Sequence, residues 1–363
     1  MSTFTVKVVK VMVGPHNNSD NLEIGNIAGY QTVLKKGQFV TGDLAAYIPE
    51  QSVIPANIIT ELGLDGYLAG AEKNRVKAIK LRGVLSQGLL YPARPHWNEG
   101  DDVTEELGIV KFESPIPRVL AGEVWCAGYD RTLKYDIENI KNYPHVIQVN
   151  EPVIMTEKIH GTFSIFGILP PTLAHHENGD YIVSSKGLSA KGLALKHNEK
   201  NDANLYMRAA RHFKMDERIR NVFAQEVMTM PVYILGEIMG QGVQDLSYGA
   251  SINQDTNIGY RVFDIYLGFP GLGRYLNDDE LDKACLALNL PRVPVLYRGP
   301  FTYESLNTYT NGKETISGKN LHIREGVVVR PIYERIDLEV GRVQLKSISA
   351  DYLLRKGDTT EFT

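Results

Sequence analysis

The sequence predicts an α+β chain of two domains, a small β-rich module followed by a larger domain of mixed strands and helices. Three observations carry that expectation. The first hundred or so residues are short β-branched runs cut by turn residues. The later chain alternates such runs with stretches of helical spacing. A length of 363 residues is also long for a single core.

In the first module, TFTVKVVKVMV (3–13), LEIGNIAGYQTVL (22–34) and DLAAYIP (43–49) read as strands, separated by GPHNNSDN and KKGQ. RVKAIKLRG (75–83) alternates basic and apolar residues. Read as one strand, it puts Arg75 and Lys77 on one face and Lys80 and Arg82 on the other. Short strands at close spacing fit a small barrel or a sandwich. RPHWNEGDD and ESPIP, within 95–116, have the composition of a linker, so the domains are drawn at 1–115 and 116–363.

In the second domain PVIMTEKIHGTFSIFG (152–167) reads as two strands around a turn, and YIVSSKG (181–187) as a short strand. NLYMRAARHFKMDERIRNVFAQEV (204–227) has helical spacing. PVYILGEIMG (231–240), YRVFDIYLG (260–268), HIREGVVVRPI (322–332) and GRVQLKSIS (341–349) read as strands. NDDELDKACLALNL (277–290) reads as a helix with Asn277 as N-cap and acids in its first turn, where the helix dipole favours them.

Composition limits the function classes. A net charge of −4 argues against nucleic-acid binding through overall charge, though a local basic groove stays open. Two cysteines, Cys126 and Cys285, give neither a disulfide framework nor a CxxC metal site, so a reducing intracellular compartment is expected. No signal peptide or membrane span is read, and a monomer without a protein partner is the expectation.

Four short stretches carry charged residues beside glycine or a compact apolar run: EKIHG, GEIMG, EGVVVRP and QLKS. Each alone is a weak signal, since a lysine three residues before a glycine is common. Their order is the stronger observation. Lys158 is followed by Glu237, the FDI triplet at 263–265, Glu325 and Lys346. This series resembles the covalent nucleotidyltransferase superfamily of RNA ligases, DNA ligases and capping enzymes. EKIHG is similar to its motif I, LGEIMG to motif III, VFDIY to motif IIIa, EGVVVRP to motif IV and VQLKS to motif V. YIVSSKG is similar to a basic patch following motif I.

The resemblance implies roles. Lys158 would attack the α-phosphate of ATP and carry AMP, with Lys346 neutralising charge on that phosphate. Glu325, with Glu237, would hold a Mg2+ or Mn2+ ion, and Glu237 would also contact the ribose. Lys186 would reach ribose or phosphate. Phe263 and Val328 would sandwich the adenine. Glu157 and the neighbouring backbone of Ile159 and Gly161 would read the adenine edge. Two positions depart from the common pattern: His160 stands where an acid is frequent, and Gln344 where a second lysine is frequent. A water or phosphate contact is expected of His160 rather than direct metal binding.

Little chain follows motif V, and the extra β-rich module precedes motif I. That order is similar to the Deinococcus and Naegleria group of RNA ligases, as are KYDIENIKNYP (134–144) and GQGVQDLSYG (240–249). The group implies an N-terminal OB-like β-barrel and a C-terminal nucleotidyltransferase domain of antiparallel sheets flanked by helices. It implies joining of 5′-phosphate to 3′-OH ends, with RNA on the 3′-OH side of a nick in a duplex. Arg75, Lys77, Lys80 and Arg82 would meet the nucleic-acid backbone. The alternatives are a DNA ligase or guanylyltransferase relative, and a non-catalytic RNA-binding protein.

Overall fold

A computed structural model describes residues 4–113, 120–240, 243–246, 248–249 and 258–355. It is an α+β fold dominated by antiparallel sheet. The described chain divides into two compact units: residues 4–113 with 139–144 and 350–355, and residues 120–138 with 145–349.

The first unit holds two three-stranded antiparallel sheets. One runs Lys7–Lys10, Leu44–Ile48, Leu89–Pro92, and the other Met12–Pro15, Leu22–Ile27, Tyr30–Lys35. The apolar run at 43–49 has a clear cause. Ala46 and Ile48 face one core with Val8, Ile58 and Trp97, while Ala45 and Tyr47 face a second with Val11, Leu34 and Phe39. A strand buried on both faces loses the polar alternation.

Two expectations are corrected in this unit. The stretch from 95 read as linker supplies Trp97, Val103, Leu107 and Ile109 to the first core, and Val110–Lys111 pairs with Ser52–Val53. Turn-rich composition hid four apolar anchors; residues 114–119 lie outside the described part. RVKAIKLRG is also not one strand. Only Ile79–Leu81 is, hairpinned to Val84–Ser86 through Arg82 (φ +48°) and Gly83 (φ +91°). Two consecutive positive φ angles make the type I′ turn that hairpins favour, and a glycine at the second place suits it.

The second unit is built on two antiparallel sheets. In one, Leu345–Ile348, Gly326–Pro331, Pro152–Lys158 and Val295–Pro300 lie side by side. In the other the order is Tyr181–Ser185, Thr162–Ile168, Val232–Gly240, Ile258–Leu267, Arg274–Tyr275. The two strands expected at 152–167 are present, but they belong to different sheets. The turn Ile159–Gly161 carries the chain across. One face of the second sheet packs Phe166, Ile234, Ile238 and Val262 against the helices Leu205–His212, Met215–Val222 and Asp278–Leu288. The single helix expected over 204–227 breaks in two at Lys214, which is left-handed at φ 49°. Asp216 and Glu217 then fall in a new first turn. The helix starting after Asn277 has the expected cap, completed by Glu280 reaching back as a capping box.

A buried ion network ties the sheets of this unit together. Arg342 donates to both oxygens of Asp264 at 2.8 Å and also to Glu334, which accepts Arg330 at 2.7 Å. Arg298 and Arg292 meet Asp278. Burial opposes the charge on Asp264 and Asp278, yet the arginines hold both carboxyls below their ordinary values. A lowered carboxyl stabilises above its unfolded pKa, about 4, and loses that contribution as the pH falls through the folded value. The urea midpoint is therefore expected to stay level down to about pH 5 and to drop steeply below about pH 4.

Candidate active site

Strand alternation sorts the site residues. Thr156 pairs with Val328, Val328 with Lys346, and Lys158 with Gly326. Partners across a ladder share a face, and so do residues two apart. Lys158, Val328 and Lys346 thus stand on one face of the first sheet. Lys158 Nζ donates to Glu325 Oε1 at 2.8 Å. Glu325 is almost wholly buried (1% side-chain exposure), whereas Lys158 keeps 18%. The first sheet therefore presents a lysine held by a buried carboxylate, with the buried Lys346 two strands away.

Glu157 lies on the opposite face. Its carboxylate accepts the Thr315 amide at 3.0 Å and the Thr315 hydroxyl at 2.6 Å, with Arg324 at 3.8 Å. Burial raises its pKa, against the pull of those Thr315 bonds. Alternation turns this side chain away from Lys158 and toward Thr315 and Arg324, and the adenine-edge contact expected of it stays a proposal. The side chain of Ile159 is likewise taken into a small core with Met239, Tyr248 and Val293, so only its backbone is left for a ligand.

On the second sheet Phe163, Glu237 and Arg261 occupy one register row. A bulge sits here: Leu235 pairs with Asp264 and Gly236 with Val262, which leaves Phe263 as the extra residue. Phe263 is half-buried, with Phe163 at 5.3 Å and Tyr135 at 5.5 Å between ring centroids. The FDI triplet thus combines a bulge that sets Phe263 on the Glu237 side with an aspartate that anchors the ion network. Gly161 lies against Glu237. A Cβ there would stand 2.3 Å from the Ile238 carbonyl and 2.9 Å from Glu237 Cγ. Gly161→Ala is expected to displace the turn and Glu237, and a shift of about 1 Å costs roughly 100-fold in activity. Steady-state rates with an unchanged melting temperature would show it.

Lys186 opens the short helix Lys186–Ser189 and donates to Asp136 Oδ1 at 2.8 Å. Burial works against the Asp136 charge, but Lys186 brings its pKa down to about 2. Gln344 lies 3.1 Å from the Tyr135 hydroxyl, and its amide points to the Asp136 carbonyl. The position where a second lysine is frequent is therefore wired to the Asp136–Lys186 pair. In the first unit Arg75 is half-buried, with its guanidinium 4.2 Å from the Phe112 ring centre, and Lys77 is also half-buried; Lys80 and Arg82 are exposed.

Sequence reasoning missed Gln244, Asp245 and Tyr248 as sources of site contacts. Gln244 donates to the Gly161 carbonyl at 3.2 Å, the Tyr248 hydroxyl accepts the His160 amide at 2.8 Å, and Asp245 meets His160 Nε2 at 2.6 Å. The likeness of GQGVQDLSYG to the ligase group was the available signal. Arg261, the row partner of Glu237, donates to the Tyr260 carbonyl at 2.8 Å.

A family model described as RNA ligase matches residues 151–348, more than half of the chain. The chain belongs to the RNA ligase family. An OB-fold domain model matches residues 4–93 of the same ligase. Among solved structures it is similar to Naegleria gruberi RNA ligase with PPi, at 24% identity and TM-score 0.76, covering 97% of this chain and 98% of that one. It is similar to a lysine-to-alanine variant of that enzyme with ATP and Mn, at 23% identity, TM-score 0.76, and coverage of 96% and 98%. A lysine-to-methionine variant with AMP and Mn gives 24% identity, TM-score 0.76, and coverage of 97% and 98%. No curated protein matches the sequence. The expected fold class stands: an OB-fold unit followed by the RNA ligase fold.

Proposed function

We propose that this ligase uses ATP to join RNA 5′-phosphate and 3′-OH ends, most effectively at nicks in duplexes, through an AMP adduct on Lys158. The observation that carries the reading is the 2.8 Å pair between Lys158 and the buried Glu325, on the sheet that also presents Lys346. The complexes of the Naegleria enzyme with ATP and Mn, AMP and Mn, and PPi support the same chemistry.

Atoms balance as follows. A protonated Lys158 has no lone pair, so its proton must leave before Nζ attacks the α-phosphorus. A P–N bond forms, the bond to the bridging oxygen breaks, and pyrophosphate departs. A 5′-phosphate oxygen of RNA then attacks the AMP phosphorus and frees the lysine. Finally the 3′-OH attacks the activated 5′-phosphate and AMP leaves. Lys346 would meet charge on the α-phosphate, where a fixed cation contributes most in the transition state. Phe263 and Val328 would flank the adenine, Lys186 and Glu237 would reach the ribose side, and Gly161 and the Ile159 backbone would lie close to the nucleotide.

Among the described residues no group of three or more His, Cys, Asp or Glu side chains forms a metal cage. Hard divalent ions such as Mg2+ need only one or two carboxylates when phosphates and water complete the shell. Glu325 and Glu237 fit that mode. A divalent ion held there would supply Lewis-acid charge to the phosphate.

In the first unit, Lys80 and Arg82 ride on an exposed hairpin, suited to a phosphate backbone. Assays on nicked duplexes with RNA or DNA on each side test the substrate: sealing should require RNA at the 3′-OH and survive DNA at the 5′-phosphate. The double substitution Lys80→Ala/Arg82→Ala should lower the salt slope of duplex binding by about 2. Equal sealing of single strands would remove the nick preference.

A further inference from the structure

The contacts of Gln244, Asp245 and Tyr248 reach beyond the roles assigned above. His160 is fully buried, and both of its ring nitrogens have carboxylates beside them. Nε2 lies 2.6 Å from Asp245 Oδ1, and Nδ1 lies 3.9 Å from Glu325 Oε2. Glu325 Oε1 in turn holds Lys158 Nζ at 2.8 Å. The order in space is Asp245, His160, Glu325, Lys158. A carboxylate only accepts, so the bond to Asp245 puts the hydrogen on Nε2 and fixes which edge of the ring faces Glu325.

We propose that Asp245 is a positioning residue for the lysine. It sets the rotation of His160, the imidazole walls the Oε2 side of Glu325, and Glu325 keeps its other oxygen on Lys158. Two further contacts from the same segment, Gln244 to the Gly161 carbonyl and Tyr248 to the His160 amide, hold the backbone of that turn. Asp245 addresses the imidazole itself. His160 thus links two carboxylates, beside the water or phosphate contact expected of it from the sequence. Asp245 keeps 40% side-chain exposure, so replacing it does not empty a core position.

The inference rests on Lys158 being the AMP acceptor. The test is a mutant cycle on the full chain. The rate of label transfer from α-labelled ATP to protein is measured for wild type, Asp245→Asn, Asp245→Ala, His160→Gln, and the double Asp245→Ala/His160→Gln. Loss of a carboxylate that orients a metal-bound imidazole costs about 10- to 100-fold, and the same scale is expected of this pair. Asp245→Ala should lose that much in maximal rate, with half-saturation by ATP unchanged. Asp245→Asn, which keeps the shape, should lose less. The double variant should label within about twofold of His160→Gln, because Asp245 acts only through that ring. Losses that multiply, or a wild-type labelling rate in Asp245→Ala, overturn the inference while leaving Lys158 as acceptor intact. Wild-type protein that takes no label overturns both.

Discussion

Lys158→Ala is expected to abolish joining of 5′-phosphorylated RNA, by at least about 10^4-fold, the scale seen when a covalent nucleophile is removed. The loss should be confined to the first step. Alanine cannot form the P–N bond, so no AMP reaches the 5′-phosphate. An RNA whose 5′ end already carries AMP needs only attack by the 3′-OH, and the variant should still seal it. Lys346, Glu237 and the aromatic pair around Phe263 are untouched by the change. Parallel assays on 5′-phosphate and pre-adenylylated RNA separate the steps. Equal loss on both substrates would mean that Lys158 serves binding rather than covalent transfer.

The largest effect on stability is expected at Asp264. It is 2% exposed and accepts two bonds from Arg342, one from the Tyr135 hydroxyl and a longer one from Arg330. Asp264→Ala leaves the guanidinium of Arg342 buried with Glu334 as its remaining carboxylate. Breaking a buried pair from one side costs about 3–5 kcal/mol. At about 2–4 °C per kcal/mol for a domain of this size, the melting temperature should fall by about 6–20 °C. Asp264→Asn keeps the volume and part of the bonding, so it should lose less. Melting curves of both variants decide the matter; a shift under about 2 °C for alanine would show that the network is not a stabilising unit.

The motifs were legible because their residue types are chemically forced. The proposed chemistry needs an amine nucleophile, a carboxylate beside it and a cation for the phosphate, and few residue types can serve. Their order along the chain sufficed to group Lys158, Glu325 and Lys346 before any geometry. Which side of a strand each residue takes was less legible. Glu157 and Lys158 are adjacent letters, but the pleat sends one to Thr315 and the other to Glu325. The partner of His160 could not be read at all, since Asp245 is 85 residues away and no local pattern links them.

The fold shows the same division. Strands and the capped helix after Asn277 follow from periodicity and cap chemistry. Trp97, Val103, Leu107 and Ile109 escaped because four apolar anchors in a turn-rich stretch make no period. The break at Lys214 escaped because apolar spacing runs on through it. Arg82 was read as a strand residue because alternation continued into a turn that backbone φ angles define, not side chains.

The central claim is that Lys158 becomes covalently bound to AMP. The protein is incubated with ATP or GTP and Mg2+ or Mn2+, denatured, digested and mapped by mass. The expected result is AMP from ATP on the peptide containing Lys158, stable to denaturation and absent from Lys158→Ala. An adduct on another residue, an adduct from GTP alone, or none with either metal would contradict it.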